Sequence, residues 1–166
     1  MIFDLDPGED VPWSAVVEAA NLFRERLESI KLKCFLKLSG GKGLHVVCPI
    51  KPELEWPQVK AFTKTMAEDF TAKHPKKFVS KMTKAIRGGK IFVDYLRNDK
   101  TSTAVAAYSL RSRPGMAAAW PIRWEDAEGF GRSDAVTIIN YADHMTEDPW
   151  PGFTKVGPSL KKILGV

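Results

Sequence analysis

A chain of 166 residues, 44% hydrophobic and 27% charged, is long enough to bury a substantial core and has the balance of an ordinary globular protein. No apolar run approaches the roughly 18 residues of a membrane-crossing helix, and so acidic an N-terminus does not read as a signal peptide, so a cytoplasmic location is expected. The net charge of +5 is unevenly spread: acidic residues gather at the start and between Glu125 and Asp148, while the basic middle suits a polyanionic partner such as nucleic acid or nucleotide.

Residues 1–5 read as a strand stopped by Pro7-Gly8. From Trp13 to Ile30 apolar residues recur at helical spacing, giving one buried stripe. Residues 33–39 then alternate, with Cys34, Leu36 and Leu38 on one side and Lys33, Phe35, Lys37 and Ser39 on the other. "SGGKG" (39–43) supplies a turn and "LHVVCPI" (44–50) the return strand of a hairpin. Cys34 and Cys48 have neither the number nor the spacing of a zinc site and are expected as reduced, cross-strand core thiols.

A second helix is expected from about Pro57 to before His74-Pro75, with Val59, Phe62, Met66 and Phe70 as its stripe. "GGKIFVDYL" (88–96) is a turn followed by a strand. "STAVAAYSL" (102–110) reads as a further strand, "RSRPG" as a turn, 118–124 as a short extended piece and 158–164 as a terminal helix. No repeat or linker interrupts the chain, so residues 1–166 are expected to form one module. The order strand, helix, hairpin, helix, strand predicts an α+β fold: an antiparallel sheet with helices packed on one face and the other face open.

Alternation puts Phe3, Leu5, Leu36, Leu38, Leu44 and Val46 toward the helices, and Asp4, Asp6, Ser39 and His45 on the open face. Two carboxylates side by side on a strand repel, and a divalent cation removes that conflict, since hard oxygen ligands suit magnesium and manganese. In "SGGKGLH" successive backbone N–H groups can line a nest for phosphate oxygens, with Lys42, Ser39 and His45 adding donors. Asp94 interrupts the apolar run of "IFVDYL"; a buried carboxylate needs a partner, either a local salt bridge with a nearby Arg or Lys or, the better explanation, metal ions held by Asp4 and Asp6 for which it is a third ligand. Arg87, Arg97 and Arg111 flank that strand and can clamp phosphates through forked hydrogen bonds. On residues alone these features describe metal-dependent phosphoryl or nucleotidyl transfer.

Four segments, "FDLDPG", "SGGKGLHVV", "RGGKIFVDYLRN" and "AYSLRSRPG", occur in this order and at fitting separations. Together they resemble the polymerase domain of bacterial DNA ligase D, in the archaeo-eukaryotic primase superfamily. The resemblance implies an RRM-like primase-polymerase catalytic module. It implies that Asp4, Asp6 and Asp94 hold two divalent ions, manganese or magnesium, and that Ser39 and His45, with Lys42 between them, contact a nucleoside triphosphate. Arg87 and Arg111 match the family's triphosphate contacts, and Arg97 matches more weakly. The implied reaction is template-directed addition of nucleotides at DNA ends carrying a 5′-phosphate. The implied setting is non-homologous end joining in the bacterial nucleoid, alongside Ku and a DNA ligase. The family places a further N-terminal module before the "DLD" strand, so a separate chain carrying that module is an expected partner.

Two other readings compete. A catalytically inactive RRM-like module would stack nucleic-acid bases on exposed sheet aromatics, for which Phe35 and Phe92 are the candidates. A phosphatase that uses a DxD strand would need parallel strands, which Pro7-Gly8 and the hairpin disfavour.

Overall fold

A computed structural model of the chain describes residues 1–145, 147–155 and 157–165. Six strands form one sheet: β1 (Ile2–Pro7), β2 (Phe35–Leu38), β3 (Leu44–Val47), β4 (Phe78–Val79), β5 (Ile91–Asp94) and β6 (Pro121–Ile122). Their order across the sheet is β4-β5-β1-β3-β2-β6. Four of the pairings are antiparallel, and the short β4 adds a parallel pairing to β5 at the edge.

Two long helices pack on one side. In α1 (Trp13–Ser29) the residues Val16, Ala20, Phe23 and Leu27 form the buried stripe. The helix ends where Lys31 takes a left-handed φ of 65° and the Leu32 N–H reaches back to the Leu27 carbonyl. In α2 (Trp56–Lys73) a capping box between Glu55 and Gln58 and a proline in the first turn fix the start; Val59, Met66 and Phe70 are buried. Phe23 stacks between Phe3 and Phe70, tying β1 to both helices at centroid distances of 5.0 and 4.3 Å. A short α3 (Leu160–Leu164) closes the chain, capped by the Ser159 hydroxyl. This is the α+β layer that the pattern of elements predicts. Among the described residues no helix is long and apolar enough to cross a membrane.

The hairpin is held close to β1 by a glycine. A Cβ at Gly43 would lie 1.9 Å from the Leu5 carbonyl oxygen, so only glycine lets the start of β3 approach β1. Gly40 takes a φ of 66° and lies against the Ala118 backbone, which brings the hairpin turn up to the segment leading into β6. The two cysteines are neighbours across β2 and β3. Both are buried free thiols, and a hydrogen bond to Cys34 together with burial pushes the Cys48 thiol well above its ordinary pKa.

Two expectations from the sequence are corrected. Residues 102–110 do not form a strand: only Leu110 makes an isolated bridge, to Ala118, and Tyr108 has a left-handed φ of 64° that breaks any extended run. The sheet face opposite the helices is also only half open. At one end Phe35 and Val47 are buried under Trp150, with Phe153 packed alongside, and the Trp150 indole N–H donates to the Leu36 carbonyl at 2.8 Å.

Candidate active site

The open half of that face carries a row of polar side chains across four strands. Strand register pairs Asp94 of β5 with Asp4 of β1, Asp4 with His45 of β3, and His45 with Lys37 of β2. Directly paired residues project to the same side of a sheet, so two carboxylates, an imidazole and an ammonium lie in line. Asp6 stands two residues from Asp4 on the same face, opposite Phe92.

Guanidinium groups span the carboxylates. Arg97 lies 2.9 Å from Asp94 and 3.7 Å from Asp4, and Arg87 lies 3.2 Å from Asp6. The His45 Nε2 is 3.5 Å from Asp4. Burial raises the pKa of Asp94 despite the opposing pull of Arg97, and burial plus the Asp4 charge raises that of Asp6. Both groups are held in a setting that disfavours their ionised form.

Among the described residues no three carboxylate, imidazole or thiol groups stand together as a preformed metal centre. The donor chemistry nevertheless fits a hard divalent cation. Three carboxylates from two paired strands share one face, and burial disfavours two of them as anions, a cost that a cation relieves.

A cavity of about 650 Å³ opens over this row, lined among others by Asp4, Asp6, Ser39, Lys42, His45, Arg87, Arg97 and Arg111. Asp94 is not part of that lining; it joins the site through Arg97, 2.9 Å away, which is. Every residue proposed for the site from sequence is therefore at or beside one cavity. Lys42 is exposed and pairs loosely with Glu9 at 3.7 Å. The His45 Nδ1 and the Arg87 Nε are buried with no hydrogen-bond partner among the described residues, leaving donor or acceptor capacity for a ligand.

Sequence reasoning passed over three residues. Lys37 is almost fully buried and donates to the Val105 carbonyl; burial lowers its pKa to about 8. Its alternation with Phe35 and Ser39 was the available sign. Arg113 lines the cavity beside Arg111, two positions along "RSRPG". Ser133 bonds Ser39 across 94 residues of sequence, for which no local pattern exists.

Neither Phe35 nor Phe92, the two candidates for base stacking, offers a free ring face. Phe35 is covered by Trp150 and Phe153, and Phe92 is buried with the Arg87 guanidinium 3.9 Å above its ring.

A family model of the LigD primase-polymerase domain matches residues 1–150. The chain belongs to this family. The multifunctional non-homologous end joining protein LigD of Pseudomonas aeruginosa is 31% identical over 172 residues, a match covering 99% of this chain and 20% of that protein. The multifunctional non-homologous end joining DNA repair protein LigD of Mycobacterium tuberculosis is 36% identical over 146 residues, 88% of this chain and 19% of that protein. The polymerase domain of Mycobacterium tuberculosis ligase D, solved in complex with DNA, superposes with a TM-score of 0.74 at 30% identity, covering 99% of this chain and 50% of that one. The chain thus spans about a fifth of these LigD relatives and half of the solved polymerase domain.

Proposed function

We propose that this chain carries the catalytic and triphosphate-binding face of a template-directed nucleotidyl transferase that extends DNA ends during non-homologous end joining. The observation that carries the reading is the cross-strand row of Asp94, Asp4 and His45, of which Asp4 and His45 line one cavity with the Ser39–Gly43 turn and the arginines while Asp94 pairs with Arg97 at its edge. The end-joining names of the relatives and the DNA held by the structural neighbour support the substrate class.

In this reading Asp4, Asp6 and Asp94 hold two divalent ions, manganese or magnesium. When bound, these ions neutralise triphosphate charge and make the primer 3′-hydroxyl a better nucleophile. Ser39, Lys42 and the loop N–H groups receive phosphate oxygens. Arg87, Arg97 and Arg111 exchange carboxylate contacts or solvent for phosphate oxygens, keeping the reacting phosphorus in line with the attacking hydroxyl. His45, whose Nε2 lies 3.5 Å from Asp4 on the adjacent strand, adds a further contact to the triphosphate. DNA ends with a 5′-phosphate, Ku and a DNA ligase are the partners of this reading, in a bacterial nucleoid.

Primer extension on a gapped, 5′-phosphorylated duplex with manganese and ribonucleotides tests it, with Asp94→Ala as the comparison. Extension by the wild type and none by the variant supports the proposal. Activity that appears only on adding the half of a LigD polymerase domain that this chain does not match supports the proposal as well. Nucleotide binding with no extension under either condition refutes catalysis and favours an inactive binding module.

A further inference from the structure

Ser133 lies outside every motif that marks the site, yet its hydroxyl is built into the phosphate loop. It is 2% exposed, on a segment anchored where the Val136 carbonyl accepts the Ala118 N–H at 2.8 Å, with Val136 itself in the core. The Ser39 N–H donates to the Ser133 Oγ at 3.0 Å, and the two hydroxyl oxygens are 3.1 Å apart. The Ser133 hydroxyl also donates to the Gly43 carbonyl. One side chain therefore bonds both ends of the five-residue turn, whose ends also meet through the Ser39 N–H and the Gly43 carbonyl at 3.2 Å.

Proton accounting fixes the direction of these bonds. A carbonyl only accepts, so the single Ser133 proton goes to Gly43. The Ser39 hydroxyl must then be the donor in the Ser39–Ser133 contact, while its lone pairs face the Gly41 N–H at 3.3 Å. With that proton aimed at Ser133, Ser39 offers none to the cavity until its hydroxyl rotates. Ser133 needs no rearrangement when it does, because it keeps the Ser39 N–H and the Gly43 carbonyl.

We infer that Ser133 is a positioning residue for the triphosphate: it holds the 39–43 loop in its phosphate-receiving shape and stores the Ser39 proton until a phosphate oxygen takes it. This rests on the proposed function, and it places part of the site's specificity for polyphosphate in a residue that never touches the ligand. The loop meets only phosphate, so the effect must follow the phosphates and not the base.

The test measures binding of ATP and of inorganic tripolyphosphate, each with manganese, by calorimetry to the full chain. Ser133→Ala is expected to weaken both by the same factor, about 5- to 10-fold for one or two lost hydrogen bonds. Ser133→Cys fills the same space with a poor hydrogen-bonding group and serves if Ser133→Ala does not fold. Ser133 acts through Ser39, so Ser39→Ala combined with Ser133→Ala should lose at least threefold less than the product of the single losses. The manganese-induced rise in melting temperature, read at the carboxylates, should not move. Loss of ATP binding with tripolyphosphate unaffected, a multiplicative double variant, or a Ser133→Ala protein that binds like wild type would overturn the inference alone. A wild-type chain that binds neither ligand overturns the inference and the proposed function together.

Discussion

Replacing Asp94 by asparagine separates the electrostatic role of this carboxylate from its place in the fold. The side chain is 8% exposed; its Oδ1 accepts the Leu96 N–H at 2.9 Å, and its Oδ2 faces Arg97 at 2.9 Å. Asparagine keeps an acceptor for Leu96 and drops the charge. The folded-state pKa of Asp94 is raised by burial, so the stability its protonated form contributes is present at low pH and lost as pH rises through the raised value. At neutral pH the ionised form is a cost that Asp94→Asn removes. What the variant gives up is an ion pair whose arginine is 40% exposed, about 0.5–1 kcal/mol. The two effects oppose each other, so without added metal Asp94→Asn should melt within about 4 °C of wild type. Manganese at a hundred times its dissociation constant stabilises a binding-competent chain by about 2.7 kcal/mol, or roughly 5–10 °C at this size. Thermal melts followed by circular dichroism at pH 7.5, titrated with manganese to a plateau, should show that rise for wild type and almost none for Asp94→Asn. An equal rise in both proteins would refute the assignment of Asp94 to the metal ligands.

Four further outcomes follow from the packing. Lys37, with its pKa lowered to about 8, binds fewer protons folded than unfolded up to its ordinary value, so stability should rise with pH across that window by at most about 3 kcal/mol. The difference in urea-derived stability between wild type and Lys37→Met, followed from pH 7 to 10, should change by that order, and a constant difference would contradict it. Gly43→Ala places a methyl 1.9 Å from the Leu5 carbonyl and should lower the melting temperature by more than 8 °C, on the order of 3 kcal/mol or more. Gly129→Ala, with nothing within 4 Å of the added carbon, should stay within about 0.5 kcal/mol in the same melt. Trp150→Ala uncovers Phe35 and removes the indole bond to Leu36, and should cost about 3–5 kcal/mol in chemical denaturation.

What could be read before any coordinates was whatever local periodicity encodes. The period-2 pattern of "FDLDP" and "FLKLS" assigns a side to each residue, and a hairpin turn of known length brings His45 toward Lys37, so Asp4, His45 and Ser39 could be placed on one face from spacing alone. Alternation says which face a residue takes and nothing of what covers it. Phe35 and Phe92 do point to the face opposite the helices, but Trp150 arrives from 115 positions along the chain to bury one, and Arg87 folds over the other. The same limit explains the misread strand at 102–110. Its Thr, Val and Tyr suit a strand without any clear alternation, and Tyr108 turns left-handed to bond Ala119 instead. Ser133 is the extreme case. Serine between Arg132 and Asp134 has the composition of any exposed turn, and only the approach of Gly43 and Ser39 gives its hydroxyl three partners. Of the residues proposed for the chemistry, Asp4, Asp6, His45 and Asp94 lie on strands whose own pattern announces them, whereas Ser133 is recruited by tertiary contact. Substitutions at Ser133 can therefore alter this site without touching any motif that identifies it.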